Sequence, residues 1–346
     1  MLASVRYRLP GETLVHEIGT KHPPKRCTSL AEIPPQKGYL FAPFQENDAH
    51  PLWFFPADEQ RTWTQPTEVP NFSLAYEVEE DHRTEYIRAF EACQAAFQQS
   101  ELQKVVLSRT LSVHFDQNLT TDDYYRLFEQ ACIAYPNSFV SLISLPAPWG
   151  TWLMATPEIL ISAKDNLWHT MALAGTMEKT ADSTLSLEVW SEKNRKEQQW
   201  VVDYISRQLE KLGCEYQKSP TYVRPAAHLL HLCTDFSVIP PKEKSIACVI
   251  EALHPTPAVC GWETSTAQAL ISKVESHDRS YYSGYSGPID PNSAHLFVTL
   301  RCMNLNNDTA TLYAGGGLLP ESNENSEWQE TERKLNTMLR LFSAHK

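Results

Sequence analysis

A chain of 346 residues with 42 Asp and Glu against 30 Lys and Arg, a formal charge of −12, can bury a sizeable core as one large domain or two intimate lobes. The acidic balance and the lack of any basic run exclude a nucleic-acid footprint, so an anion would have to be met by a few local Arg and Lys or by a divalent cation held on carboxylates. No stretch approaches the roughly 20 apolar residues of a membrane span. Met1 to Pro10 lacks the apolar core of a secretion signal, and the eight Cys form no CxxC pair or Cys/His cluster, so free core thiols and a cytoplasmic location are expected.

Residues 1 to 80, rich in Pro and broken into short aromatic runs such as Tyr39-Leu40-Phe41 and Leu52-Trp53-Phe54-Phe55, read as strands and loops. From Asp81, Tyr86, Ile87, Phe90, Cys93 and Phe97 recur at helical spacing, one buried face ending near Ser100. A strand over Leu102 to Leu111 follows, with Lys104, Val106 and Ser108 on one face, which sets a lysine in line with apolar neighbours. Phe139 to Leu145, Thr151 to Ala155 and Glu158 to Ala163 read as an antiparallel meander interrupted at Pro146 to Gly150 and Thr156-Pro157. Glu192 to Leu212 is helical in composition and stops at Gly213, a good residue just past a helix end. Another helix is predicted from Thr264 to about Glu275. Strands around Leu296 to Cys302 and Thr311 to Ala314 precede Gly315-Gly316-Gly317, and an amphipathic helix closes the chain over Asn325 to Phe342. The order is mixed α+β, without the strand-helix alternation of a doubly wound sheet.

Several segments could carry chemistry. With only 12 Gly in the chain, three in a row at 315 to 317 imply either a tight turn or a turn between strand and helix that offers N–H groups to an anion. The spacing fits neither a dinucleotide fingerprint nor a P-loop. Glu327 and Glu330, at i and i+3, share a helix face. That suits Mg2+, or equally a solvated face on which Glu330 pairs with Lys334. Glu197 has the same two readings, with Lys193 as its i,i+4 partner. The run from His254 to Gly261 places Pro255 and Pro257 around Thr256 amid apolar residues, a shaped wall, and Leu173 to Thr176 and Tyr281 to Gly284 interrupt strand-like stretches with small residues.

Together and in order, Lys104 to Arg109, Thr156-Pro157-Glu158, Leu173 to Thr176, Glu192 to Glu197, His254 to Gly261, Asp278-Arg279, Thr299 to Cys302 and Ala314 to Gly317 with Glu327 to Thr331 resemble the chorismate-utilising family of isochorismate, salicylate, anthranilate and aminodeoxychorismate synthases. The resemblance spans roughly Asp81 to Lys346. It implies one α+β domain of two large, mostly antiparallel sheets packed face to face with helices outside. Residues 1–80 would be its strand-rich N-terminal part and 81–346 its chorismate-binding catalytic region. It further implies that Glu197 and Glu330 ligate Mg2+, with Glu327 as a further ligand or water-holder. Arg301 and Lys334, aided by N–H groups of Gly315, Gly316 and Gly317, would hold substrate carboxylates, Arg301 being the better anchor through its bidentate fork. His231 would line the pocket or be a satisfied core histidine, and Ala174, Gly175, Thr176, Ala258 and Tyr282 would complete the wall.

The branch within the family rests on few positions. Lys104 matches the lysine that takes a proton from water in isochorismate and salicylate synthases, where ammonia-using members have Gln. Ala174 stands where aminodeoxychorismate synthases carry a nucleophilic Lys, so residue type excludes a covalent route. Ala258, smaller than the Thr of salicylate synthases, favours stopping before pyruvate is lost. Glu158 would be the general acid, holding its proton near pH 7 through burial beside the substrate carboxylates. The expected activity is Mg2+-dependent addition of water to C2 of chorismate with loss of the C4 hydroxyl, giving isochorismate for menaquinone or siderophore synthesis. A salicylate synthase, an anthranilate synthase and a non-catalytic chorismate-binding protein are the alternatives. A monomer without an obligatory protein partner is expected.

Overall fold

The computed structural model describes residues 3–69, 72–99, 102–179, 185–226 and 228–343. Among these, two ten-stranded sheets form, and every strand pairing is antiparallel. The first sheet runs, in spatial order, Gly261–Trp262, Lys104–Phe115, Thr309–Leu318, Cys302–Asn306, Thr151–Thr156, Phe139–Ser144, Ser4–Arg8, Leu14–Gly19 and Glu59–Thr64, with Tyr76–Glu80 also on the 104–115 strand. The second runs Glu215–Lys218, Leu229–Ile239, Leu167–Glu178, Ile159–Lys164, Ser293–Val298, Tyr285–Asp290, Gly38–Ala42, Leu52–Pro56 and Lys25–Cys27, with Tyr222–Ala226 on the 229–239 strand. The edge strand Glu59–Thr64 is polar and exposed, which discourages pairing with another chain.

The sheets meet face to face over an aromatic layer. Phe139 of the first stacks on Phe297 of the second at 4.1 Å between ring centroids, and Tyr39 and Ser141 share a buried hydrogen bond of 2.7 Å. Strands inside this sandwich, such as Phe139–Ser144 and Thr151–Thr156, are buried along their whole length, because both of their faces are covered. Among the described residues six helices pack outside: α1 (Arg83–Gln99), α2 (Thr121–Ala134), α3 (Glu192–Lys211), α4 (Ile246–Leu253), α5 (Thr264–Val274) and α6 (Glu324–Leu339). The apolar stripes of α3 and α4 (Val201, Ile205, Leu209, Val249, Leu253) cover the second sheet, whereas α2 and the end of α6 (Leu127, Phe128, Leu335, Met338) cover the first. Among the described residues no helix is long and apolar enough to cross a membrane.

Two expectations are corrected. Phe139–Ser144 and Thr151–Thr156 form the predicted hairpin, but Ile159–Lys164 pairs with Ser293–Val298 in the other sheet, so the meander breaks. The chain crosses between sheets at Thr156-Pro157-Glu158, where the proline cannot supply a ladder donor. Nor do Gly315 to Gly317 form a turn. They continue the Thr309–Leu318 strand, opposite Ser108, Leu107 and Val106.

Candidate active site

A second crossing runs beside the first. The 293–298 strand belongs to one sheet and the 302–306 strand to the other, so Thr299, Leu300 and Arg301 span the gap. Ala155 N–H donates to Arg301 C=O (3.0 Å), and Val298 N–H donates to Glu158 C=O (3.0 Å). The crossings are thereby fastened together, and Glu158 and Arg301 are fixed at one end of the sandwich in the cleft where the sheets part.

That cleft forms a partly enclosed cavity, the concave kind of site that takes small ligands. Its wall brings together Glu158, Ala174, Gly175, Thr176, Glu197, His231, Ala258, Tyr282, Arg301, Gly315, Gly317, Glu330 and Lys334, all expected from sequence. Lys104, Gly316 and Glu327 are not in the wall. Lys104 lies behind it with no exposure, its Nζ 3.0 Å from Glu197 Oε1. The contact is ionic and not aimed as a hydrogen bond. Sequence reasoning did not single out the wall positions Val106, Pro157, Leu173, Val259, Leu300, Tyr313 and Ala314 as site residues, since mostly apolar lining carries no signal of its own in a sequence.

The glycine run matters here in a way a turn would not. Val106 N–H donates to Cys260 C=O and Ser108 N–H to the Glu275 carboxylate, so both amides point away from the 309–318 strand. In an antiparallel ladder their partners Gly317 and Gly315 must then turn their own N–H and C=O away from the 104–115 strand. On that side the 302–306 strand pairs no further than Cys302 with Tyr313, which leaves the edge free, and Lys334 Nζ reaches Gly315 C=O there at 2.7 Å. Gly316 points the other way. A side chain at Gly317 would collide with Glu197 Oε1 and come within 3.1 Å of Lys104 Cε.

The second sheet supplies the opposite wall. Its 167–178 strand shifts register between Ala174 and Met177, and Gly175, at φ +67°, takes the left-handed conformation this bulge needs. A Cβ there would approach Asn194 Cβ of α3 to 3.2 Å, so the glycine lets α3 lie close and bring Glu197 in. Gly175 C=O accepts from His231 Nδ1 at 2.8 Å, and His231 Nε2 lies 3.1 Å from Arg301 Nη2. The histidine must therefore carry its proton on Nδ1 and accept from Arg301 on Nε2. Burial and the neighbouring Arg301 push it down to about 3, so it stays neutral. Among the described residues no carboxylate pairs with Arg301, which lines the cavity. Glu158 is 4 % exposed. Burial pushes its carboxyl up to about 8 against the pull of Lys104, Arg301 and Lys334, so it holds a proton at neutral pH.

Three further carboxylates come from two helices, Glu197 and Glu330 in the wall and Glu327 outside it, and each carries a lysine. Glu197 is held by Lys104, Glu330 by Lys334 at 2.7 Å, and Glu327 by Lys193. Burial works against charge on Glu330, but Lys334, with Lys193 and Arg333, holds it below the usual carboxylate range. The predicted i,i+4 pair between Lys193 and Glu197 does not form. Among the described residues no three His, Cys, Asp or Glu side chains stand close enough to ligate an ion as they are placed. The set nevertheless fits a hard cation in donor type. Glu327 Oε2 is buried without a hydrogen-bond partner, and it and Glu330 Oε1 lie 3.3 and 4.0 Å from one point, the Cβ position of Gly316.

A family model described as Chorismate binding enzyme matches residues 52–343. The chain belongs to the chorismate-binding enzymes. Enzymes of this family use a metal ion. The chain is 31% identical to isochorismate synthase EntC of Escherichia coli K12 over 253 residues, 71% of this chain and 63% of that protein. It is 34% identical to a putative isochorismate synthase MenF of Mycobacterium tuberculosis over 257 residues, 69% of this chain and 67% of that one. The chain thus spans less than two thirds of the E. coli protein's length. In fold it matches E. coli MenF, a menaquinone-specific isochorismate synthase, with a TM-score of 0.82 at 20% identity over 99% of this chain and 89% of that one. Bacillus anthracis DhbC, a putative 2,3-dihydroxybenzoate-specific isochorismate synthase, matches with a TM-score of 0.83 at 22% identity over 98% and 96%.

Proposed function

We propose that this chorismate-binding enzyme is an isochorismate synthase. The observation that carries the reading is geometric: the buried carboxyl of Glu158 and the guanidinium of Arg301 line one cavity that backs onto the buried amine of Lys104. A hydroxyl leaves only if it is protonated, and water adds only if a base takes its proton. Lys104, acting from its neutral form once the proton it shares with Glu197 has left, takes a proton from water as the new C–O bond forms at C2 of chorismate, and the ring double bond shifts. The C4–O bond breaks as Glu158 delivers its proton to the departing oxygen, so one water enters and one leaves. Glu197, 3.0 Å from Lys104 Nζ, stabilises the ammonium that results.

Arg301 and Lys334 bind substrate carboxylates, and the free amides of Gly315 and Gly317 complete that cradle. Glu197, Glu330 and Glu327 would hold Mg2+, which when bound neutralises the ring carboxylate and fixes its orientation. The small Ala258 in the wall supports release of isochorismate with its pyruvyl group intact. The protein is read as a cytoplasmic monomer.

Chromatography of products after incubation with chorismate and Mg2+ tests the reading. Isochorismate as the sole product is expected, salicylate with pyruvate would make it a salicylate synthase, and no turnover would leave a binding protein. Arg301→Lys keeps the charge but loses the planar fork and its bond to His231. It is expected to raise KM for chorismate about 10- to 100-fold, in line with roughly 1.5–3 kcal/mol for a charged hydrogen bond, with a smaller change in kcat. Steady-state kinetics check this.

A further inference from the structure

Of the three lysines paired with these carboxylates, Lys193 is the one whose presence nothing above explains. Lys104 is wholly buried and Lys334 is tied to Gly315 C=O as well as to Glu330. Lys193 lies in the first turn of α3 (Glu192–Lys211), where a cation opposes the positive end of the helix dipole. Its i,i+4 neighbour Glu197 is taken by Lys104. Its ammonium instead crosses to Glu327 on α6, a carboxylate only 2 % exposed whose second oxygen has no partner. Burial works against that charge, yet Glu327, Glu197 and Glu330 all act to keep it. Lys193 therefore sits in the field of all three carboxylates of the proposed metal set. With a side chain still 24 % exposed, it has a route to water that Lys104 lacks.

We infer that Lys193 is a tethered place-holder for the divalent cation: its ammonium neutralises Glu327 in the metal-free protein and swings into solvent when the ion binds. The physical ground is competition for one site of negative charge. Three carboxylates brought together by two helices repel one another, three lysines relieve that repulsion, and Lys193, the one on a partly exposed flexible stem, is the one a doubly charged ion can displace. The inference rests on the reading of Glu197, Glu327 and Glu330 as metal ligands.

Binding of Mn2+, without chorismate, followed through loss of the free-ion EPR signal and competed with Mg2+, tests both. Lys193→Met should bind the ion about tenfold more tightly than wild type, and its metal-free form should melt at a lower temperature, with a larger rise in Tm on adding Mg2+. Glu330→Gln should lose binding. Tightened binding in Lys193→Met with loss in Glu330→Gln supports the inference. Unchanged or weaker binding in Lys193→Met, with loss in Glu330→Gln, overturns the place-holder and keeps the metal set. Wild-type binding in Glu330→Gln overturns the metal set itself. Labelling of the wild-type protein with an amine-reactive reagent, read by peptide mass spectrometry, needs no variant to fold. Lys193 should label faster with Mg2+ than without, and equal rates would overturn the inference.

Discussion

Glu158→Gln is expected to lower kcat for isochorismate formation by about 10²–10⁴-fold while chorismate still binds. Glutamine reproduces the neutral, buried shape of the protonated carboxyl but has no proton of comparable acidity to give to the departing C4 oxygen. Equilibrium binding beside steady-state rates would separate the two effects, and full turnover by the purified variant would remove Glu158 from the mechanism. The same group sets a pH dependence. With its carboxyl pushed up to about 8 by burial, the free enzyme should lose kcat/KM as pH rises through that value. The sign for stability follows from proton counting. Between the ordinary carboxylate value, about 4.3, and about 8, the folded state keeps a proton that the unfolded chain releases, so this group makes stability fall as pH rises across that window. The Glu158→Gln protein should lack this contribution, which thermal melts from pH 5 to 8 would measure. His231, pushed down to about 3, should add no limb to kcat/KM between pH 5 and 8, but in the melts it makes stability rise with pH up to about 6.5, the ordinary histidine value, and so opposes the Glu158 contribution there.

Lys104→Ala is expected to abolish isochorismate formation with a loss of similar size, about 10²–10⁴-fold, because among the described residues no other amine pairs with Glu197. Its stem is fully buried between Gly317 and Glu197, so the variant also opens a cavity and should melt at a lower temperature. Lys104→Met, which fills most of that space, separates the causes. It should recover much of the melting temperature and none of the rate. Recovery of turnover in the methionine variant would show that position 104 acts only by filling space.

Much of this was legible in the residues. Helical periodicity and composition placed α1, α3, α5 and α6 to within a few residues, and Gly213, at φ +72°, ends α3 as its lack of a Cβ suggests. Two helices had no counterpart in the sequence reading. For α2 a signal existed, since Thr120 and Asp123 form a capping box ahead of an apolar stripe. The eight-residue α4 is so short and apolar that its periodicity does not separate it from a buried strand. Lys193 also left a trace, as a cation in the first turn of a helix where the dipole disfavours one.

By itself, the sequence determined which residues could do the chemistry: an amine at 104 among apolar neighbours, a carboxyl after Pro157, a guanidinium at 301, carboxylates at 197, 327 and 330. These are matters of residue type and local pattern, readable over a few positions. Only the tertiary structure decided that the chain changes sheets at 156–158 and again at 299–301, that the three glycines extend a strand whose free edge faces the cleft, and that Lys193 leaves Glu197 for Glu327. Each of these joins segments distant in sequence, where strand pairing, burial and charge balance are set by neighbours that no local window contains.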